Sequence, residues 1–224
     1  MTKEKVTVVE KIMDANDKMA LLNRERLENK KIFAINIMAS PGAGKTSIIL
    51  ETIKRLSNEF VTGVIEGDTA PVTIDADKIS AIGSPAVQIN TGGECHLDAI
   101  SISNALDQLP LDKIDFLIVE NVGNLICPAG FQLGTHANVL IASIPEGDDK
   151  PYKYPNIYRG LDALIINKID LLPFVPYDLQ YFQDGVNMLN KDLSTFIMSA
   201  KTGEGFEEWI SWITRQIRKK QTVS

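Results

Sequence analysis

Short apolar runs punctuate the chain. Ile32–Met38 is continuous apart from Asn36, and Val61–Ile65, Ala86–Ile89, Phe116–Val119, Val139–Ile144, Ala163–Ile166 and Thr195–Met198 are of the same kind. Runs without in–out alternation suit strands buried on both faces. Helical patterns lie between most of them: Thr46–Leu56, Ala76–Ala81, Leu97–Leu106, Leu179–Leu189 and Phe206–Arg218. The alternation predicts an α/β fold, with a mostly parallel central sheet and helices on both faces. Upstream, residues from about Lys5 to Lys30 lack Pro and Gly and carry a partial helical stripe at Val8, Ile12, Met19, Leu22 and Leu27. The expected division is an N-terminal helix (1–30) packed on the domain and a main domain (31–224). Pro145–Pro155 reads as a charged, exposed loop.

After the first strand comes Ala39-Ser40-Pro41-Gly42-Ala43-Gly44-Lys45-Thr46-Ser47, opening a helix. It matches the Walker A pattern except that Ala39 replaces the first glycine. Such a loop points its backbone N–H groups at phosphate oxygens. Gly42 and Gly44 permit close approach and unusual dihedrals. Lys45 supplies charge at the β and γ phosphates, and Thr46 a hydroxyl for Mg²⁺. The P-loop NTPase fold is therefore expected.

Asn167-Lys168-Ile169-Asp170 follows the strand Ala163–Ile166. An aspartate here can accept two hydrogen bonds from guanine, a donor pair adenine lacks, and a site that leaves a buried carboxylate unpaired rejects the wrong base. Lys168 would lay its stem over the purine, and Asn167 would tie the loop to its neighbours. Ser199-Ala200-Lys201 resembles a third base-contacting loop, with a solvated surface lysine as the plainer reading of Lys201.

Phe116–Val119 ends in Glu120-Asn121-Val122-Gly123. A carboxylate at the C-terminal end of a parallel strand faces the ligand crevice, so Glu120 takes the Walker B place. Gly123 could turn its backbone to the γ-phosphate. Asp68, in Glu66-Gly67-Asp68, and Asp75 are the further candidates to hold Mg²⁺ or orient the attacking water. Asp75 also reads as a helix N-cap. No glutamine follows Gly123 as a water-positioning residue, so slow intrinsic turnover is expected.

Both cysteines and one of the two histidines fall near these candidate Mg²⁺ and γ-phosphate residues. Cys95-His96 follows Gly92-Gly93-Glu94, and Cys127 lies in Leu125-Ile126-Cys127-Pro128. Thiolate and imidazole together suit Zn²⁺ or Ni²⁺. Two unrelated reduced thiols and a surface histidine are the competing reading, and His136 reads as structural.

Composition narrows the setting. The formal net charge of −6 is a poor footprint for non-specific nucleic-acid binding. No apolar stretch approaches the roughly 18–20 residues needed to span a bilayer, and the first residues lack a signal-peptide core. A cytoplasmic protein is expected, with no nucleic-acid or membrane partner. Two cysteines do not make a disulfide framework.

Together these segments resemble the hydrogenase nickel-incorporation GTPases, metallochaperones of nickel–iron hydrogenase maturation. The resemblance rests on Ser40–Thr46, Glu66-Gly67-Asp68, Gly92–Ala99, Glu120–Pro128 and Asn167–Asp170, within a stretch from about Ile32 to Ile217. It implies GTP hydrolysis to GDP, and Ni²⁺ or Zn²⁺ on Cys95, His96 and Cys127. It also implies a homodimer favoured by GTP, a zinc-binding accessory protein, and the hydrogenase large subunit precursor as recipient. Some members carry an N-terminal cysteine cluster or a histidine-rich stretch. Residues 1–30 contain neither Cys nor His, so nickel storage is not expected. The related urease-type GTPases carry Cys-Pro-His, whereas Ala129 follows Pro128 here. A urease-type GTPase, a regulatory switch GTPase without a metal role, and a P-loop kinase of small molecules, against which Asn167-Lys168-Ile169-Asp170 argues, are the rival readings.

Overall fold

Ile, Val and Leu fill central strands that are buried on both faces, while the edge strands are half-buried. The first is β1 (Phe33–Ala39), buried along its whole length. Six more follow: β2 (Thr62–Asp68), β3 (Ala86–Asn90), β4 (Phe116–Glu120), β5 (Ala137–Ser143), β6 (Ala163–Asn167) and β7 (Ser194–Ile197). They form one sheet in the order β3-β2-β4-β1-β5-β6-β7, and every pairing is parallel. The computed structural model describes the backbone of residues 3–69 and 74–222, and the side chains of 15–69, 76–127 and 130–222.

Helices cover both faces, as an all-parallel sheet requires. Alternate residues of β1, from Phe33 to Ala39, join Ile48, Ile49 and Ile53 of α2 (Lys45–Leu56) and the aromatic face of α8 (Phe206–Thr222). Trp209 and Trp212 stack there with centroids 5.4 Å apart. Each such buried side chain contributes roughly 1.5–3 kcal/mol. On the opposite face, Ala34 and Ile65 meet Leu27 of α1 (Lys3–Asn29) and Ile102 and Leu106 of α4 (Ala99–Leu106). A further cluster packs α6 (Pro155–Arg159) and α7 (Leu179–Leu189) on β5 and β6. The predicted α/β class holds. Among the described residues no helix is long and apolar enough to cross a membrane.

Three local readings change. The buried stripe of α1 is Asn16, Ala20, Asn23 and Leu27, while Leu22 is exposed. The side chains of Val8 and Ile12 lie outside the described residues. Asn16 Nδ2 donates to the Gln132 carbonyl at 2.9 Å, and Asn16 Oδ1 accepts from the Ala99 N–H at 2.9 Å. Asn23 Nδ2 donates to the carbonyls of Ala99 and Leu133. The helix is thus held by amides as much as by apolar contact. Second, Pro145–Pro155 is not simply an exposed loop. Lys150–Lys153 forms α5, with Pro151 buried. Third, α3 (Ile74–Ala81) begins ahead of Asp75, placing that residue in the first turn rather than at the cap.

Candidate functional site

β1 ends at Ala39, whose methyl is fully buried in the core, which explains why glycine is not needed there. The chain then turns into α2. Gly42 (φ 74°) and Gly44 (φ 101°) take left-handed backbone. A Cβ on Gly44 would stand 2.5 Å from Asn167 Nδ2, so this position admits only glycine. Gly44 is also the N-cap of α2. The unpaired N–H groups and positive end of that helix therefore open at the loop.

A cavity of about 380 Å³ sits against them. The loop contributes Pro41, Gly42, Gly44, Lys45, Thr46 and Ser47 to its walls. The strand ends contribute Glu66, Gly67 and Asp68 from β2, with Glu120 and Gly123 from the β4 side. Ser40 and Ala43 are not among its walls. Ala43 is buried in the core, and its N–H bonds to the Ser40 carbonyl at 3.3 Å. The Thr46 hydroxyl donates to Glu120 Oε1 at 3.4 Å. Hydroxyl and carboxylate oxygens converging there suit a hard cation such as Mg²⁺. Asp68 reaches the same cavity. The side chain of Asp75 lies outside the described residues.

The strands also bring in a residue not predicted. Glu66 lies in register with Glu120 on the adjacent parallel strand, and each is 4% exposed. A glutamate set inside a buried apolar strand was the available signal, since a carboxylate is seldom buried without a partner. Its pairing with Glu120 depends on register and could not be read from the chain.

The base loop is bonded directly to the phosphate loop. Asn167 Nδ2 donates to the Ala43 carbonyl at 2.9 Å, and Asn167 Oδ1 accepts from the Ala200 N–H at 3.1 Å. Lys168, itself left-handed at φ 65°, donates from Nζ to the Gly42 carbonyl at 2.7 Å. Ser199 Oγ donates to Asp170 Oδ1 at 2.7 Å and accepts from the Lys201 N–H at 3.3 Å. The Lys201 ammonium is exposed, 4.0 Å from Asp170 Oδ2. Three segments far apart in sequence thus form one hydrogen-bonded unit.

Cys95 and His96 lie in the turn before α4, which starts only after Asp98 caps it through the Ser101 N–H. Cys95 Sγ is 3.6 Å from His96 Nδ1. The neighbouring Cys127 thiol pushes the Cys95 thiol above its ordinary pKa, and desolvation adds to the shift. The His96 ring stacks on Phe131, just past the short turn Cys127–Gly130, with centroids 3.9 Å apart. Cys95 therefore meets each of the other two. Among the described residues, however, no three such side chains already form a metal-holding group. His136 is remote from both sites. Its Nδ1 accepts from the Ala34 N–H at 3.0 Å, and Nε2 faces Glu28 at 3.2 Å.

Phosphate cavity and base loop on one parallel sheet, joined by Asn167 and Lys168, make this protein a P-loop GTPase in class. Its family follows from comparison with known proteins. The family described as "CobW/HypB/UreG, nucleotide-binding domain" matches residues 33–196, and the chain belongs to it. Over 205 residues it is 42% identical to the hydrogenase maturation factor HypB of Escherichia coli, an alignment spanning 92% of this chain and 70% of that protein. The crystal structure of HypB from Archaeoglobus fulgidus superposes with a TM-score of 0.85 at 39% identity, covering 91% of this chain and 99% of that one. That of HypB from Helicobacter pylori in complex with nickel gives 0.87 at 36%, covering 94% and 99%. The resemblance to hydrogenase-maturation GTPases drawn from the sequence holds.

Proposed function

We propose that this protein hydrolyses GTP with Mg²⁺ and uses the cycle to deliver nickel to the large subunit precursor of a nickel–iron hydrogenase. The observation that carries the reading is the meeting of Cys95 with His96 and Cys127 on loops that leave the sheet beside the phosphate cavity. Cys127 lies on the segment that follows β4 and carries Gly123 after Glu120. Its relatives are hydrogenase maturation factors, one of them crystallised with nickel.

In this reading the loop N–H groups and Lys45 bind the β and γ phosphates, and Asp170 selects guanine from a carboxylate pre-set by Ser199. Thr46 and Glu120, with Asp68 or Asp75, hold the cation, which supplies charge neutralisation at the phosphate oxygens when bound. Asp68 or Asp75 orients the attacking water. A Cβ on Gly123 would lie 3.5 Å from Lys45 Nζ, so its backbone stands where the γ-phosphate is sensed. Cys95, His96 and Cys127 take the metal as cargo. Their incomplete arrangement suits a site closed by a second copy of the chain in the GTP state and opened after hydrolysis. A zinc-binding accessory protein assists in a cytoplasmic setting. Residues 1–30 act as a packed N-terminal helix on the GTPase domain of 31–224.

Metal analysis with mass measurement tests this, in GDP and in a non-hydrolysable GTP analogue, for the chain and a Cys95→Ala variant. The expected result is Ni²⁺ or Zn²⁺ on the parent chain, a nucleotide-dependent dimer, and metal lost from the variant. Equal metal content in both proteins would point instead to a switch GTPase without a metal role.

A further inference from the structure

Asn121 follows Glu120 and is 1% exposed. Its backbone N–H bonds to the Ile37 carbonyl at 2.9 Å, so it extends the contact of β4 with β1. Its side chain is fixed by a row of amides, the buried Asn36 and the half-buried Asn138. Asn121 Nδ2 donates to Asn36 Oδ1, and Asn36 Nδ2 donates to Asn138 Oδ1, each at 3.1 Å. With the amide so oriented, Oδ1 faces two donors. It accepts from the Val122 N–H at 3.0 Å and from the Leu97 N–H at 3.1 Å. One oxygen is thus shared between the two loops. Val122 leads to Gly123, which stands against Pro41 and Lys45. Leu97 directly follows Cys95 and His96.

Leu97 has a second tie to the nucleotide side. Its side chain lies on Gly67, where an added Cβ would come within 2.8 Å of it, and Gly67 lines the phosphate cavity. Just beyond, Ala99 is held through its N–H by Asn16 and through its carbonyl by Asn23, both on α1. The arm carrying Cys95 and His96 is therefore anchored on one side to a helix remote from the phosphates. On the other it hangs from an amide beside the γ-phosphate sensor. A buried carbonyl oxygen that accepts from both loops cannot keep both bonds unchanged when one loop moves, and losing either leaves a buried donor unsatisfied.

We infer that Asn121 is a positioning residue that couples the nucleotide state to the metal site, by sharing its side-chain oxygen between Val122 and Leu97. The inference rests on the metallochaperone reading and names the link within it. Reciprocal coupling between two ligands commonly amounts to roughly 5–150-fold in affinity.

The test titrates Ni²⁺ into Mg²⁺-loaded protein in GDP and in a non-hydrolysable GTP analogue. The parent chain is expected to show affinities differing by about 5-fold or more. Asn121→Ala is expected to bring that ratio to about one. A purely structural role would weaken binding in both states and leave the ratio alone. Retention of the parent ratio in Asn121→Ala overturns the inference while leaving the metallochaperone reading intact. A ratio of one in the parent chain refutes the linkage itself. Amide hydrogen exchange of Leu97 in the parent chain needs no variant. Its protection should differ about tenfold between the nucleotide states, and equal protection overturns the proposal.

Discussion

Asn167 Nδ2 reaches across the site to the Ala43 carbonyl at 2.9 Å, joining the loop of Asn167–Asp170 to the phosphate loop. The same side chain holds the Ala200 N–H through Oδ1. Asn167→Ala would leave the buried Ala43 carbonyl unsatisfied, at a cost of about 1–3 kcal/mol, and would free the half-buried Ala200 N–H. Nucleotide affinity should fall at least about tenfold for GDP and GTP alike, measured by calorimetric titration. An unchanged affinity would show that the two loops are positioned independently.

In the proposed reading Asp170 carries base selection. Both guanine donors need a carboxylate, whereas xanthine offers one donor and one acceptor at the same edge. An amide supplies the matching acceptor and donor. Asp170→Asn should lower GTP affinity on the order of a hundredfold, from two charged hydrogen bonds worth about 1.5–3 kcal/mol each. It should raise affinity for the xanthine nucleotide. Competition between the two triphosphates for the variant reads this directly, and continued preference for GTP would contradict the assignment.

Trp209 Nε1 donates to Thr52 Oγ1 at 3.0 Å between α8 and α2, with both residues buried. Thr52→Val keeps the shape and removes the acceptor. The orphaned indole N–H should cost about 1–3 kcal/mol. In a chain of this size that lowers Tm by about 2–4 °C per kcal/mol. Thermal unfolding monitored by circular dichroism measures it, and a Tm equal to the parent's would mean the bond adds nothing.

His136 predicts a pH dependence of stability. Burial lowers its pKa to about 4, with Arg24 and Lys220 adding to the shift and Glu28 opposing it. Its Nδ1 already accepts the Ala34 N–H, so protonation there would break a bond. Unfolded, it takes up a proton near its ordinary value of 6.5, and folded only near 4. Between these values the unfolded state binds more protons. The contribution is therefore complete above about pH 6.5 and is lost as pH falls toward about 4, on the order of 3 kcal/mol in all. Urea unfolding of the parent chain and His136→Asn across that range should show a shallower slope for the variant.

The sequence by itself determined the phosphate loop, the base loop and the alternating α/β plan. Lys45, Thr46, Asn167 and Asp170 lie in short contiguous stretches, where the order of residues already dictates the local turn. Apolar runs likewise mark which segments leave water. They do not mark neighbours. The pairing of Glu66 with Glu120 was decided by strand register. The approach of Cys127 to Cys95 depended on where two loops leave the sheet. The apolar stripe expected on α1 became a row containing Asn16 and Asn23, because their amides satisfy backbone groups such as the Ala99 N–H, 83 residues from Asn16. A buried amide reads as a break in a hydrophobic pattern until its distant partner is known. Only the tertiary structure brings that partner within hydrogen-bonding distance.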